Sequence, residues 1–355
     1  MKNCNEIHLS DLTNCLKNTH VKLDLDFLAK LLKNASKSEY PHYNRDFALK
    51  IQSKFNSKAA VGTAIRNWIK GNTTIPFIKL IKIIELSDYS LEDIEKCVIS
   101  VKSGQKKGEI YPRFPIKIGK ELGSIIGHIL GDGSVDKRYL QPFFTNSNLD
   151  LIKEFSLNME FIFGIQPRTW LQTSGNFKTK SKWIKRIYQF EDAPKNCQIG
   201  LFYPKICGVI LHNIFGLFAY GKKKKITEQI KNANKEFKIG LLRAFFDDEG
   251  SINSSSHTMR IFQDNKSILK GIKYLLSEFD IRTNPIRYYI RKNKKRHYFN
   301  VTGFGEYEAF NRLIGCTSSK KKEQFELLIN KVKNSKYFRN KYKNYLRRVT
   351  PILGQ

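Results

Sequence analysis

Acidic residues are scarce in this 355-residue chain: 32 Asp and Glu stand against 63 Lys and Arg, a formal charge of +31. An imbalance of that size excludes an acidic, self-solvating chain and asks for a polyanionic partner, most simply nucleic acid. AT-rich coding would inflate lysine, but it would not deplete the acids. Cysteine is sparse as well. The six (Cys4, Cys15, Cys97, Cys197, Cys207, Cys316) form no CxxC pair and no zinc spacing, which excludes a zinc finger and predicts reduced thiols in the cytosol. Long apolar runs are missing: the most apolar stretch, Ile206–Tyr220, is too short to span a membrane and contains His212 and Asn213. The first ten residues, MKNCNEIHLS, lack the apolar core of a signal peptide. A cytoplasmic, nucleoid-associated protein with no membrane partner is expected. The 41% of apolar residues suffices for cores, and the length suggests two or three domains.

What the chain does contain is a duplication. Gly123–Val135 reads GSIIGHILGDGSV and Gly240–Ile252 reads GLLRAFFDDEGSI. Gly123 and Gly240, Asp132 and Glu249, Gly133 and Gly250, Ser134 and Ser251, and Asn148 and Asn265 are all 117 apart. Small residues recur every fourth position (Gly123, Gly127, Gly131; Gly240, Ala244), a spacing that rows them along one side of a helix and lets two helices approach closely. Gly133 and Gly250 suit the left-handed residue that ends a helix. The acids Asp132 and Glu249 then stand at the last turn of each helix, where the macrodipole disfavours a carboxylate, and side by side they repel. Asp-Gly and Glu-Gly are ordinary turn dipeptides, but two copies in constant register point instead to a divalent cation held between the acids.

These paired stretches resemble the two motifs of a LAGLIDADG homing endonuclease in its single-chain form. The copy from Leu241, LLRAFFDDEGS, matches better; the copy from Ile125, IIGHILGDGS, departs at His128 and Leu130. The resemblance implies an α+β fold of two pseudo-symmetric αββαββα repeats forming a DNA-binding saddle. It implies that Asp132 and Glu249 are the catalytic, metal-binding acids, with Gly131 and Asp248 before them as further metal-site residues and Mg²⁺ as the cofactor, Mn²⁺ substituting. Two lysine runs, Lys222–Lys225 and Lys320–Lys322, follow the closing helices; Lys224 and Lys321 are the favoured members to reach the site. Asn146 and Gln263, each fourteen residues after its acid, are polar candidates for positioning the attacking water.

Basic residues concentrate where the saddle is expected: Arg138, Arg168, Lys180, Lys182 and Arg186 in the first copy, Arg260, Arg287, Arg291, Lys294 and Arg296 in the second. Lysines there can track phosphates, and arginines can read base edges. Upstream, Ala59–Lys70 and Phe77–Leu86 have helical spacing on either side of a WIKGNTTIP joint. This resembles a lambda-repressor-like helix-turn-helix domain, which would be small, all-α, and turn Thr63, Arg66 and Asn67 toward DNA. The expected division is a helical unit over 1–100, a Gly- and Pro-containing linker over 101–115, repeats over 116–225 and 226–335, and a basic tail over 336–355.

The combined reading is a monomeric, Mg²⁺-dependent endonuclease that breaks both strands of a long asymmetric DNA site. A DNA-binding regulator without cleavage, or a maturase bound to intron RNA, remains as the alternative on the same fold. An intein is not expected, because the sequence closes on ILGQ without a His-Asn junction.

Overall fold

A computed structural model describes residues 5–51, 58–103, 108–136, 140–173, 197–217, 224–291 and 293–334. The first motif helix runs Lys120–Leu130 and the second Lys235–Glu249. They lie against each other through the small residues the sequence repeats. A Cβ placed on Gly123 would fall 2.0 Å from the Phe237 carbonyl oxygen, on Gly127 2.4 Å from that of Leu241, and on Gly240 2.0 Å from that of Lys120. Backbone meets backbone along this seam, so no side chain larger than hydrogen fits at those three positions.

Each motif helix opens a repeat of the same order. In the first, strands Ser134–Val135 and Pro142–Asn146 lead to helix Leu149–Phe163, strands Arg168–Thr173 and Cys197–Phe202, and helix Lys205–Phe215. In the second, Gly250–Asn253 and Thr258–Gln263 lead to helix Lys266–Ser277, strands Arg287–Arg291 and Lys294–Val301, and helix Phe304–Leu313. Both sheets are antiparallel, and in both the spatial order is first, second, fourth, third strand. The fold is therefore α+β with two pseudo-symmetric αββαββα repeats. Asn148 and Asn265 cap the middle helix of each repeat, accepting from the N–H of Asp150 and Ser267, which explains their constant spacing. A further helix, Ser319–Asn334, carries the second lysine run in its first turn.

Three expectations are corrected. Gly133 and Gly250 have no left-handed backbone; Gly250 is extended (φ −88°, ψ 152°) and is small because a Cβ would meet the Phe246 ring at 2.2 Å. The N-terminal unit is not all-α. Its helices Leu25–Ser36, Arg45–Ile51, Lys58–Ile69, Phe77–Glu85 and Leu91–Glu95 are joined by a four-stranded antiparallel sheet in the order Ile75–Pro76, His20–Leu23, Val98–Lys102, Glu109–Ile110. Residues 101–115, expected as a linker, supply part of that sheet and of the core: Val101 pairs with Ile110, and both are fully buried. The unit is also fastened to the first repeat, through Ile7 paired with Ile116 and the Tyr111 N–H donated to the Phe163 carbonyl at 2.8 Å. Among the described residues no helix is long and apolar enough to cross a membrane. Residues 336–355 lie outside the described part.

If the glycine seam sets the helix separation, Gly127→Ala and Gly240→Ala each destabilise the protein by about 3 kcal/mol, although Ala is the better helix former. Gly119→Ala, whose new methyl would meet only the flexible Glu121 side chain at 3.4 Å, is the neutral control. Denaturant titration of the three variants distinguishes them.

Candidate active site and nucleic-acid face

The seam delivers the two acids to the same end of the helix pair. Glu249 is the last residue of its helix, whereas the first helix stops at Leu130 and Asp132 lies two residues beyond. Each acid is held by an amide from the second strand of its own repeat: Asn146 Nδ2 donates to Asp132 Oδ2 at 2.9 Å, and Gln263 Nε2 to Glu249 Oε1 at 2.8 Å. One oxygen of each carboxylate is thereby oriented. Packing around its carboxyl and the neighbouring Asp248 push Asp132 up to about 7, against the pull of His128, Lys321 and Arg296, although the residue keeps a solvent-exposed side. Burial and Asp132 push Glu249 up to about 8. Two carboxyls raised together mark a site short of positive charge.

The two favoured lysines occupy matching posts. Lys224 Nζ donates to the carbonyls of Ile129 and Gly133, each at 3.0 Å. Lys321 Nζ donates to those of Phe246, at 2.7 Å, and Asp247. Ile129 and Phe246 are equivalent residues, 117 apart, so each ammonium caps the C-terminal turn of its own motif helix, where the dipole favours a cation. Burial lowers the pKa of both lysines. Lys222 and Lys223 lie outside the described residues.

Two features of the site were not read from the sequence. The lysine-bearing segments are cross-braced: Asn265 of the second repeat donates to the Lys224 carbonyl at 2.6 Å, and Asn148 of the first donates to Ser318 Oγ at 2.8 Å. The constant Asn148/Asn265 spacing was the available signal. The other is a buried ionic chain. His128 Nδ1 lies 3.1 Å from both Asp248 oxygens, and its Nε2 is 3.6 Å from Glu154 Oε2. The side chains of His128 and Asp248 are wholly inaccessible. Burial alone would lower the imidazole, but Asp248 and Glu154 reverse this and raise it to about 10. The Asp248 carboxylate is thus committed to protein partners, and Gly131 has no side chain to offer. Among the described residues no cluster of three or more His, Cys, Asp or Glu is arranged to hold a metal.

The sheet of the second repeat sorts its residues by alternation. Met259, Ile261, Phe299 and Val301 are buried on the helix side. Registration then places Arg260, Arg287, Arg291, Lys294 and Arg296 together on the opposite face, since Arg260 pairs with Asn300, Arg287 with Tyr298 and Arg291 with Lys294. Arg260 lies 4.5 Å from the Tyr298 ring centre. Arg296 also reaches Glu249, at 3.6 Å from its Oε2, and Asp264, at 3.4 Å from its Oδ1. The matching face of the first repeat presents stacked Phe143 and Phe202, 5.6 Å apart, beside exposed Arg168. Arg138, Lys180, Lys182 and Arg186 lie outside the described residues. On the N-terminal unit Thr63 and Arg66 are exposed and Asn67 half-buried; Arg66 lies over the Tyr43 ring at 5.9 Å.

The pKa shifts set the pH response of the metal-free protein. A carboxyl that holds its proton more tightly when folded makes stability fall as pH rises between its unfolded and folded values. That window runs from 4.5 to about 8 for the half-buried Glu249 and from 3.8 to about 7 for Asp132, whose solvent-exposed side makes its share the smaller. The raised His128 contributes stability in full below 6.5, lost as pH approaches about 10. Thermal unfolding of wild type should fall steadily from about pH 5 upward. The double variant Asp132→Asn, Glu249→Gln should fall less to about pH 8 and run parallel beyond it. A parallel course throughout would show that the acids are not strained.

Comparison with known proteins agrees with this architecture in part. Residues 236–342, which begin with the second motif helix, match the LAGLIDADG-like domain family. The chain is 26% identical over 280 residues to the DNA-directed RNA polymerase subunit Rpo1C of Methanocaldococcus jannaschii, covering 76% of this chain and 28% of that protein. It is 25% identical over 226 residues to the glutamine–fructose-6-phosphate aminotransferase of the same organism, covering 62% and 18%. The chain thus spans less than a third of the length of these relatives. Among solved structures, homing endonuclease I-DmoI in complex with DNA and Ca aligns over 59% of this chain and 98% of its own, at 13% identity and a TM-score of 0.39. Residues 236–342 are thus similar to the LAGLIDADG-like domain.

Proposed function

We propose that the chain is a single-chain, site-specific homing endonuclease that makes a divalent-metal-dependent break in both strands of a long DNA target. The observation that carries this reading is the pair Asp132 and Glu249, raised to about 7 and 8 at one end of a glycine-seamed helix pair, with an oriented amide and a capping lysine in each half. Nothing in folding asks for two carboxylates at neighbouring negative helix ends. A binding module gains nothing by keeping them.

The donor set fits a hard cation. Asp132 and Glu249 offer oxygen, and the nearby His128 imidazole is taken up by Asp248, so the donors present among the described residues suit Mg²⁺ or Mn²⁺ rather than zinc. Gly131 and Asp248 contribute at most their main-chain carbonyls. When bound, the cation supplies Lewis-acid polarisation of a phosphodiester and of its attacking water. The chain does the rest. Asn146 and Gln263 fix the rotation of the two carboxylates. Lys224 and Lys321 each give two ammonium protons to main-chain carbonyls, leaving one to donate to a phosphate oxygen or water. Arg260, Arg287, Arg291, Lys294 and Arg296 hold the backbone and bases of one half-site. The opposed face offers Phe143, Phe202 and Arg168 among the described residues, and the two repeats differ in sequence there, which favours an asymmetric target read by one chain. Arg66, with Asn67 beside it, extends the contact beyond the repeats.

The relatives support mobility of the segment. An RNA polymerase subunit and an aminotransferase have no activity in common, yet each contains a stretch similar to most of this chain. A unit that recurs inside unrelated proteins behaves as an insertable element, which is what homing produces.

Asp132→Asn or Glu249→Gln should reduce double-strand cleavage to background in Mg²⁺, while binding measured in Ca²⁺ stays within a few-fold or tightens. A carboxylate beside the DNA repels phosphate by itself, and losing one offsets the weaker hold on Ca²⁺. Cleavage of both strands at the wild-type rate by either variant is the contrary result.

A further inference from the structure

The repeats differ at two positions beside the seam that the duplication makes equivalent. Gly131 of the first corresponds to Asp248 of the second, and His128 to Phe245. The differences are complementary in space. A Cβ on Gly131 would lie 2.5 Å from Asp248 Oδ2, so the absent side chain in one repeat is the room for the carboxylate of the other. There Asp248 Oδ2 accepts from His128 Nδ1 at 3.1 Å and from the main-chain N–H of Asp132 at 3.3 Å. His128 is backed in turn by Glu154, which also accepts from Ser124 Oγ at 3.1 Å.

A charged chain of this kind is not a stability device. Desolvating the charges costs about as much as their attraction returns, and apolar side chains of similar size serve a core as well. The imidazole already sits among rings, 4.6 Å from Phe144 and 5.7 Å from Phe155, where a phenyl group would pack. What the chain does provide is a link between the two acids. Asp248 precedes Glu249 in the sequence, and its carboxylate grips the backbone of Asp132.

We propose that Asp248, held in place by His128, is a positioning residue that sets the relative placement of Asp132 and Glu249. This rests on the nuclease reading of those acids and adds an asymmetry that the repeated fold does not contain. Glu249 is tied to Asp248 by the chain itself and by the last turn of its helix. Asp132 lies beyond the end of its helix and is tied by a hydrogen bond. Loss of the carboxylate therefore releases Asp132 far more than Glu249, and, with each repeat's acid serving one strand in the nuclease reading, the two strand cuts separate.

The test uses the full chain, a supercoiled plasmid carrying its selected target, and Mg²⁺. Asp248→Ala should slow one strand cut by about tenfold or more relative to the other, since small misplacements of a reacting group are costly. Nicked circles with the nick confined to one strand should accumulate, with affinity in Ca²⁺ unchanged. Asp248→Asn, which keeps one acceptor for both donors, should restore most of the coupling. In parallel, the Asp132 amide of DNA-free protein should be protected from hydrogen exchange in wild type and lose that protection in Asp248→Ala. Equal slowing of both strands, or no rescue by Asn, assigns the pair a purely structural role and overturns the proposal. A wild type that cuts neither strand refutes the nuclease reading instead. The exchange measurement then still decides the link, and an unprotected Asp132 amide in wild type overturns it.

Discussion

Backbone contact between the two motif helices is the constraint on which the structure depends. At Gly123, Gly127 and Gly240 any side chain would occupy the space of a main-chain carbonyl. Two helices that close must end close together, so the acids that follow them share one small region. The same closeness sets the acids against each other, and the nearby His128, Lys321 and Arg296 offset that repulsion only in part, so both carboxyls stay raised. The sheets are carried outward from this seam, each with the same strand order.

Symmetry organises the site and asymmetry specialises it. The amide on each acid, the lysine on each helix end and the capping asparagine of each middle helix obey the two-fold relation. Cross-bracing through Asn148 and Asn265 makes each half depend on the other for the placement of its lysine segment. Among the described residues the sheet faces break the relation, basic and aromatic in the second repeat and carrying stacked Phe143 and Phe202 in the first. So does the Asp248–His128 pair across the seam. A chain that carries both halves is free to diverge in this way, which a symmetric dimer is not.

The parts legible in the sequence were those with a period. A spacing of 117 gave the repeats, the acids and the seam, and the concentration of Arg287, Arg291, Lys294 and Arg296 marked a basic surface, whose single face only the strand register shows. The N-terminal sheet was not legible because its strands are two to five residues long and one contains Pro76, so neither length nor alternation distinguishes them from loop. Gly108, Pro112 and Pro115 gave residues 101–115 the composition of a linker, although Ile110 is buried and paired. His128 and Asp248 are 120 residues apart and occupy positions that are not equivalent. No pattern in one sequence announces such a pair; only the close helix approach brings them together.

The most direct test of the account is cleavage selection from a randomised double-stranded DNA library by the full chain in Mg²⁺. The account predicts enrichment of one long, asymmetric sequence cut in both strands, with activity lost when the metal is chelated. Recovery of a perfect palindrome, or of bound but uncut sequences at every metal tried, would contradict it.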